Sequence, residues 1–171
     1  MKHHPRLEGG RVADDSTSFE VVSGAGRAPV EPVQERRAAV QAAFDGLLQI
    51  RRLMNTTVAD PLAVPAEWER HQAVRAVALV LEASEIAPSA VDCGGHRVAT
   101  GYCVRETEAA EVTRVEWLGP AGSGAAYEEQ DALRRCADAL RQMGWEVLEY
   151  RGPRRRRYLE VEPPGRCGYE R

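Results

Sequence analysis

The sequence predicts an α+β domain. It would hold one four-stranded antiparallel sheet in α-β-β-α-β-β order, with helices on one face, an additional N-terminal helix and a disordered tail. Three observations carry that prediction. Apolar residues recur at three- and four-residue spacing in three segments, which marks helices. A pair of short segments with alternating apolar residues follows the second of these and another pair follows the third, which marks hairpins. A polar turn divides the first pair, an arginine run divides the second, and a glycine-rich breaker separates the two units. The two units do not match closely enough to be a repeat.

Residues 1–30 carry few large apolar side chains and many Gly, Ser, Asp and Pro. Such a segment cannot offset chain entropy by burial, so it is expected to be a disordered tail. Ser18-Phe19-Glu20-Val21-Val22 is an apolar island within it. It suits a strand docked on the domain, or a motif whose Phe19 and Val21 add to a partner's sheet. The domain is expected over 31–163, and 164–171 reads as a loose C-terminal tail.

The first helix is predicted over 32–54, with Pro32 at its first position and a stripe of Val40, Phe44, Leu47, Leu48 and Met54. Val40, Phe44 and Leu47 would join the core or, if the helix is appended, hold a partner such as a second copy of the chain. A second helix is predicted over 67–84. Glu67 and Glu69 lie in its first turn, Pro88 lies beyond its end, and Trp68, Val74, Val77, Ala78 and Leu81 form its buried face. Val98, Tyr102 and Val104 alternate in one strand, as do Val115 and Trp117 in the next. The third helix carries Leu133, Cys136, Ala137, Leu140 and Met143 on its buried stripe. Glu128, Glu129 and Asp131 sit towards its positive end, and Gly144 terminates it. "WEVLEY" and "RYLEV" close the fold as a last hairpin.

Net charge is −3, which argues against a chain that coats nucleic acid along its whole length, while leaving room for a local basic patch. Lys2 is the single lysine among 23 basic residues, a bias expected of GC-rich coding. Arginine is therefore the default cation here. No apolar run approaches the ~18 residues of a membrane span, and the N-terminus lacks the apolar core of a signal peptide. The expectation is a cytoplasmic protein in which Cys93, Cys103, Cys136 and Cys167 are reduced.

The most prominent local signal is Arg151 with Arg154, Arg155, Arg156 and Arg157. Arginines at the tip of a β-ribbon can grip phosphates through their guanidinium forks. Against this, residues 144–171 hold seven Arg and five Glu, so the local balance is only +2. Cys93 and His96 form a Cys-x-x-His pair, half of a zinc site, but no second pair follows, so no metal and no cofactor are predicted. There is no Gly-x-Ser-x-Gly, phosphate loop or dinucleotide fingerprint. Catalysis is not expected, since no acid, base and nucleophile converge. The composite reading is a small cytoplasmic protein-binding module of adaptor, immunity-like or regulatory type. A nucleic-acid-binding regulator using the arginine hairpin is the alternative. A cysteine- or metal-dependent enzyme, in which Cys93 would meet His71, is third.

Overall fold

A computed structural model describes residues 19–165. In chain order its elements are α1 (Val33–Met54), α2 (Glu67–His71), α3 (Ala73–Ala83), β1 (Ala90–Val91), β2 (Arg97–Ala99), β3 (Gly101–Glu106), β4 (Thr113–Leu118), α4 (Ala125–Gln142), β5 (Glu146–Arg151) and β6 (Arg157–Glu162). The antiparallel four-stranded sheet runs β3-β4-β6-β5, and β1 and β2 pair separately. Among the described residues, no helix is long and apolar enough to cross a membrane.

The alternation of each strand sends one set of side chains into the core. Tyr102 and Val104 of β3, Val115 and Trp117 of β4, Leu159 and Val161 of β6 and Val147 of β5 are all buried. They meet Val77 and Leu81 of α3, Leu133, Cys136 and Leu140 of α4, and Trp145. α1 packs on α3 through Val40, Leu47 and Leu79, in a second cluster.

Three local expectations are revised. The helix expected over 67–84 breaks at Gln72, whose φ of −123° and ψ of 48° separate α2 from α3. Glu69 locks α2 to α1 and Ala73 begins the buried face of α3, so one non-helical residue joins two differently anchored segments. The strand expected to run through Val98 and Tyr102 is also two strands. Val98 is exposed on β2, while Gly101 passes so close to Ala87 and Pro88 that a Cβ would sit 2.1 Å from a carbonyl oxygen.

The third revision concerns the tail. Residues 19–26, disordered by composition, are hydrogen-bonded to the domain. Val104 N–H donates to the Ser23 carbonyl at 2.7 Å, Val91 N–H to that of Gly26 at 2.9 Å, and the Tyr102 hydroxyl to that of Val22 at 2.9 Å. Gly24 has φ +80° and a Cβ there would lie 1.9 Å from the Tyr102 carbonyl oxygen, so this crossing requires glycine. The rest of the expected N-terminal tail, residues 1–18 with His3 and His4, and the last six residues with Cys167 lie outside the described residues.

Candidate functional site

Opposite the core, the sheet presents a mixed face. Cys103 and Arg105 of β3, Arg114 and Glu116 of β4, Tyr158 and Glu160 of β6, and Leu148 and Tyr150 of β5 alternate with the buried set. Leu148 and Tyr150 are 51% and 40% exposed. Cross-strand pairing puts Tyr150 directly opposite Tyr158, and the rings stack with centroids 5.6 Å apart. On the other side of Tyr158, the Arg114 guanidinium lies 4.1 Å from the ring centroid. Arg114 also reaches Glu160 at 3.4 Å, while its Nε has no acceptor among the described residues. The two rings and the guanidinium form one ordered, partly desolvated patch next to the tip of the β5–β6 hairpin.

The tip itself divides the arginine run. Arg156 N–H donates to the Pro153 carbonyl at 3.3 Å across Arg154 and Arg155, whose φ values are 59° and 60°. This is a type I′ turn, which ordinarily takes Asn-Gly. Arg156 turns back onto the domain, giving Nε to Glu129 at 2.7 Å and Nη2 to the Trp117 carbonyl at 3.0 Å. Arg157 N–H donates to the second Glu129 oxygen at 3.1 Å, and its guanidinium pairs with Glu149. Arg151, Arg154 and Arg155 are exposed and have no hydrogen bond or ion pair to a described residue. Three of the five arginines thus remain available and two hold the hairpin.

The residues expected to hold a partner are used internally. Val40 and Leu47 are buried against Leu79, and Phe44 is half-buried between the two clusters. Phe19 and Val21 pack on the same cluster, and the Arg36 guanidinium lies 4.7 Å from the Phe19 ring centroid. Arg36 makes a bidentate pair with Glu82, both bonds at 2.7 Å, and donates to the Glu20 carbonyl at 3.0 Å. The α1 stripe through Val40, Phe44, Leu47 and Leu48 and the 19–22 island therefore close on the domain itself, while Met54, expected in the same stripe, is 61% exposed because it ends the helix beyond α3.

Cys93 and His96 lie on the β1–β2 turn, which is built by Asp92 accepting N–H bonds from Gly94 at 2.8 Å and His96 at 2.9 Å. Both side chains are exposed, and His96 faces Asp92. No group of three or more His, Cys, Asp or Glu among the described residues could hold a metal ion. His71 faces Glu67 at 3.3 Å. Cys136 is buried, and desolvation pushes its thiol up to about 12. Cys103 is buried and accepts from Arg105 Nε at 3.3 Å.

A groove of about 760 Å³ lies between residues 19–23, the α2–α3 junction and the β3–β4 hairpin. Its charges are mixed, and Arg70 is occupied by the Pro164 carbonyl at 3.1 Å and Glu111 at 3.9 Å.

The chain matches no family model, no curated protein and no solved structure. The open sheet face is therefore read on its own chemistry. Sequence reasoning located the arginine tip but missed the Tyr150–Tyr158–Arg114 patch. The available signal was the alternation on β5 and β6, which puts both tyrosines opposite Val147 and Leu159. Their juxtaposition depends on the pairing register, and Arg114 comes from a different hairpin.

Proposed function

We propose that the protein is a non-catalytic, cytoplasmic protein-binding module that engages its partner through the open sheet face around Leu148, Tyr150 and Tyr158. The observation that carries this reading is the tyrosine stack, in which exposed Tyr150 covers half-buried Tyr158 and Arg114 flanks it. Tyr and Arg are the residue types that anchor protein interfaces, because they bring large contact area with few rotatable bonds or a rigid donor fork. Glu116, Glu146, Glu160 and Glu162 share this face by strand alternation, and they favour a partner of mixed charge over a polyanion.

The test is affinity capture from the native host with the wild-type chain, Tyr150→Ser with Leu148→Ser, and Arg154→Ser with Arg155→Ser. The reading expects one stoichiometric protein that the first variant loses and the second keeps. Equal capture by all three would refute it.

A second reading rests on a separate observation. Arg154 and Arg155 at the hairpin tip, with Arg151 on the opposite face of β5 from Tyr150, are exposed near the stacked tyrosines, an arrangement suited to single-stranded nucleic acid wrapped around the tip. Three phosphate contacts to a single strand would give a log–log salt slope of about −2. Micromolar, salt-steep binding of an oligonucleotide at physiological ionic strength, lost in the Arg154→Ser, Arg155→Ser variant, would favour this reading over the first.

A further inference from the structure

β5 is the last strand of the sheet, and among the described residues no strand pairs with its outer side. Its free backbone groups can be assigned. Gly152 N–H donates across the hairpin to the Arg156 carbonyl at 2.8 Å, so the alternation of an antiparallel pair turns Tyr150 and Leu148 towards β6. Val147, Glu149 and Arg151 then point their N–H and C=O groups outward. The Val147 carbonyl agrees, since it accepts from Arg141 of α4 at 3.1 Å. Those of Glu149 and Arg151 meet no described residue.

We propose that two copies of the chain pair β5 against β5, antiparallel, about a twofold axis through Tyr150, joining two sheets into one. The charges select this register. With the axis at Tyr150, Glu149 lies opposite the partner's Arg151 and Arg151 opposite the partner's Glu149. Both are outward-facing positions, so each opposite-charge pair also exchanges two backbone hydrogen bonds. An axis at Glu149 would set Glu149 against itself. An axis at Arg151 would set Arg151 against itself and Glu149 against Pro153, which has no N–H. An axis at Leu148 would pair Val147 with Glu149, and the Val147 carbonyl is already engaged.

Edge strands commonly carry charge that repels another copy. Here the two charges are of opposite sign, two residues apart, and self-complementary under twofold symmetry. Glu149 would sit between its own Arg157 and the partner's Arg151. On the open face, Tyr150 would meet the partner's Tyr150 and extend the Tyr150–Tyr158 stack to four rings. This inference goes beyond the proposed function, because it holds whichever ligand the open face takes.

Sedimentation velocity on the full chain tests it without any ligand. The wild type is expected to show a concentration-dependent monomer–dimer equilibrium. Glu149→Arg alone and Arg151→Glu alone should each weaken dimerisation by at least about tenfold, equivalent to about 1.4 kcal/mol. Arg151 has no partner among the described residues, so the Arg151→Glu result removes none of the internal pairs seen there. The double swap, or an equimolar mixture of the two single variants, should restore association. Tyr150→Cys, in a chain with Cys93→Ser and Cys167→Ser, should form an intermolecular disulfide under mild oxidation. The on-axis Cα atoms would be about 4.5 Å apart, within disulfide range. Leu148→Cys should not crosslink. A chain monomeric at every concentration would overturn the proposal. So would a dimer insensitive to both charge reversals, which would point to another surface such as exposed Leu53 and Met54 of α1.

Discussion

Arg51 of α1 and Glu69 of α2 form a bidentate ion pair in which neither side chain is exposed, with Nε–Oε1 and Nη2–Oε2 both at 2.7 Å. The remaining guanidinium nitrogen donates to the Leu62 carbonyl at 2.6 Å and the Met143 carbonyl at 2.8 Å. Glu69 Oε1 also accepts from Ala66 N–H at 2.9 Å. The pair therefore ties α1, the 61–66 loop, α2 and the end of α4 at one point. A buried pair roughly offsets its own desolvation, so its main effect is to fix position.

Removing one half leaves the other charge buried. Arg51→Ala should cost about 3–5 kcal/mol in urea unfolding. Arg51→Met combined with Glu69→Leu should cost clearly less than the sum of the two single changes, because no unpaired charge remains. Strict additivity in that cycle would refute the coupling.

Trp145 opens β5 from beneath α4 and is 2% exposed, within the cluster of Leu133, Leu140 and Val147. Trp145→Ala should cost about 3–5 kcal/mol, enough to unfold a domain of ordinary stability. An unchanged melting temperature would take Trp145 out of the core.

The arginine run should separate into two energetic classes. Arg154→Gly or Arg155→Gly relieves a left-handed residue and should be neutral or stabilising by up to about 1 kcal/mol. Arg156→Ser should destabilise by about 1–2 kcal/mol, because the buried Glu129 carboxylate loses its charged donor. Equal effects at the three positions in one denaturation series would contradict the division.

Stability should fall at alkaline pH. Cys136 is raised by burial from 9.0 to about 12, so the unfolded chain releases this proton first. The contribution is fully present below pH 9.0 and declines by about 1.4 kcal/mol per pH unit between 9.0 and about 12. Tyr102 is also raised by burial and adds to the loss above its ordinary value of 10.0. Cys136→Ala should flatten the first part of this decline in melting scans against pH. Native alkylation followed by peptide mapping should modify exposed Cys93 and spare Cys136.

Much of the fold was legible in periodicity. The α4 stripe of Leu133, Cys136, Ala137 and Leu140 is buried as its spacing predicts, because a strong amphipathic period leaves one solution for the apolar face. Val115 and Trp117, and Leu159 and Val161, face inward for the same reason at period two. Composition pointed to disorder over 19–26; the docked alternative read for the 18–22 island is the one seen over 19–22, and the segment is ordered by packing of Phe19 and Val21 and by hydrogen bonds to β1 and β3 that no tally of residue types records. Periodicity also could not say whether the α1 stripe was core or interface; Leu79 and the Arg36–Glu82 and Arg51–Glu69 pairs decided it from distant positions. The arginine run looked uniform in sequence. Glu129, 27 residues from Arg156, and Glu149, across the hairpin from Arg157, removed two of its members. Local sequence by itself determined which faces were apolar, because helix and strand periods are properties of neighbouring residues. Only tertiary structure decided which charges were neutralised and which aromatics met, because those depend on register and on partners far apart in the chain.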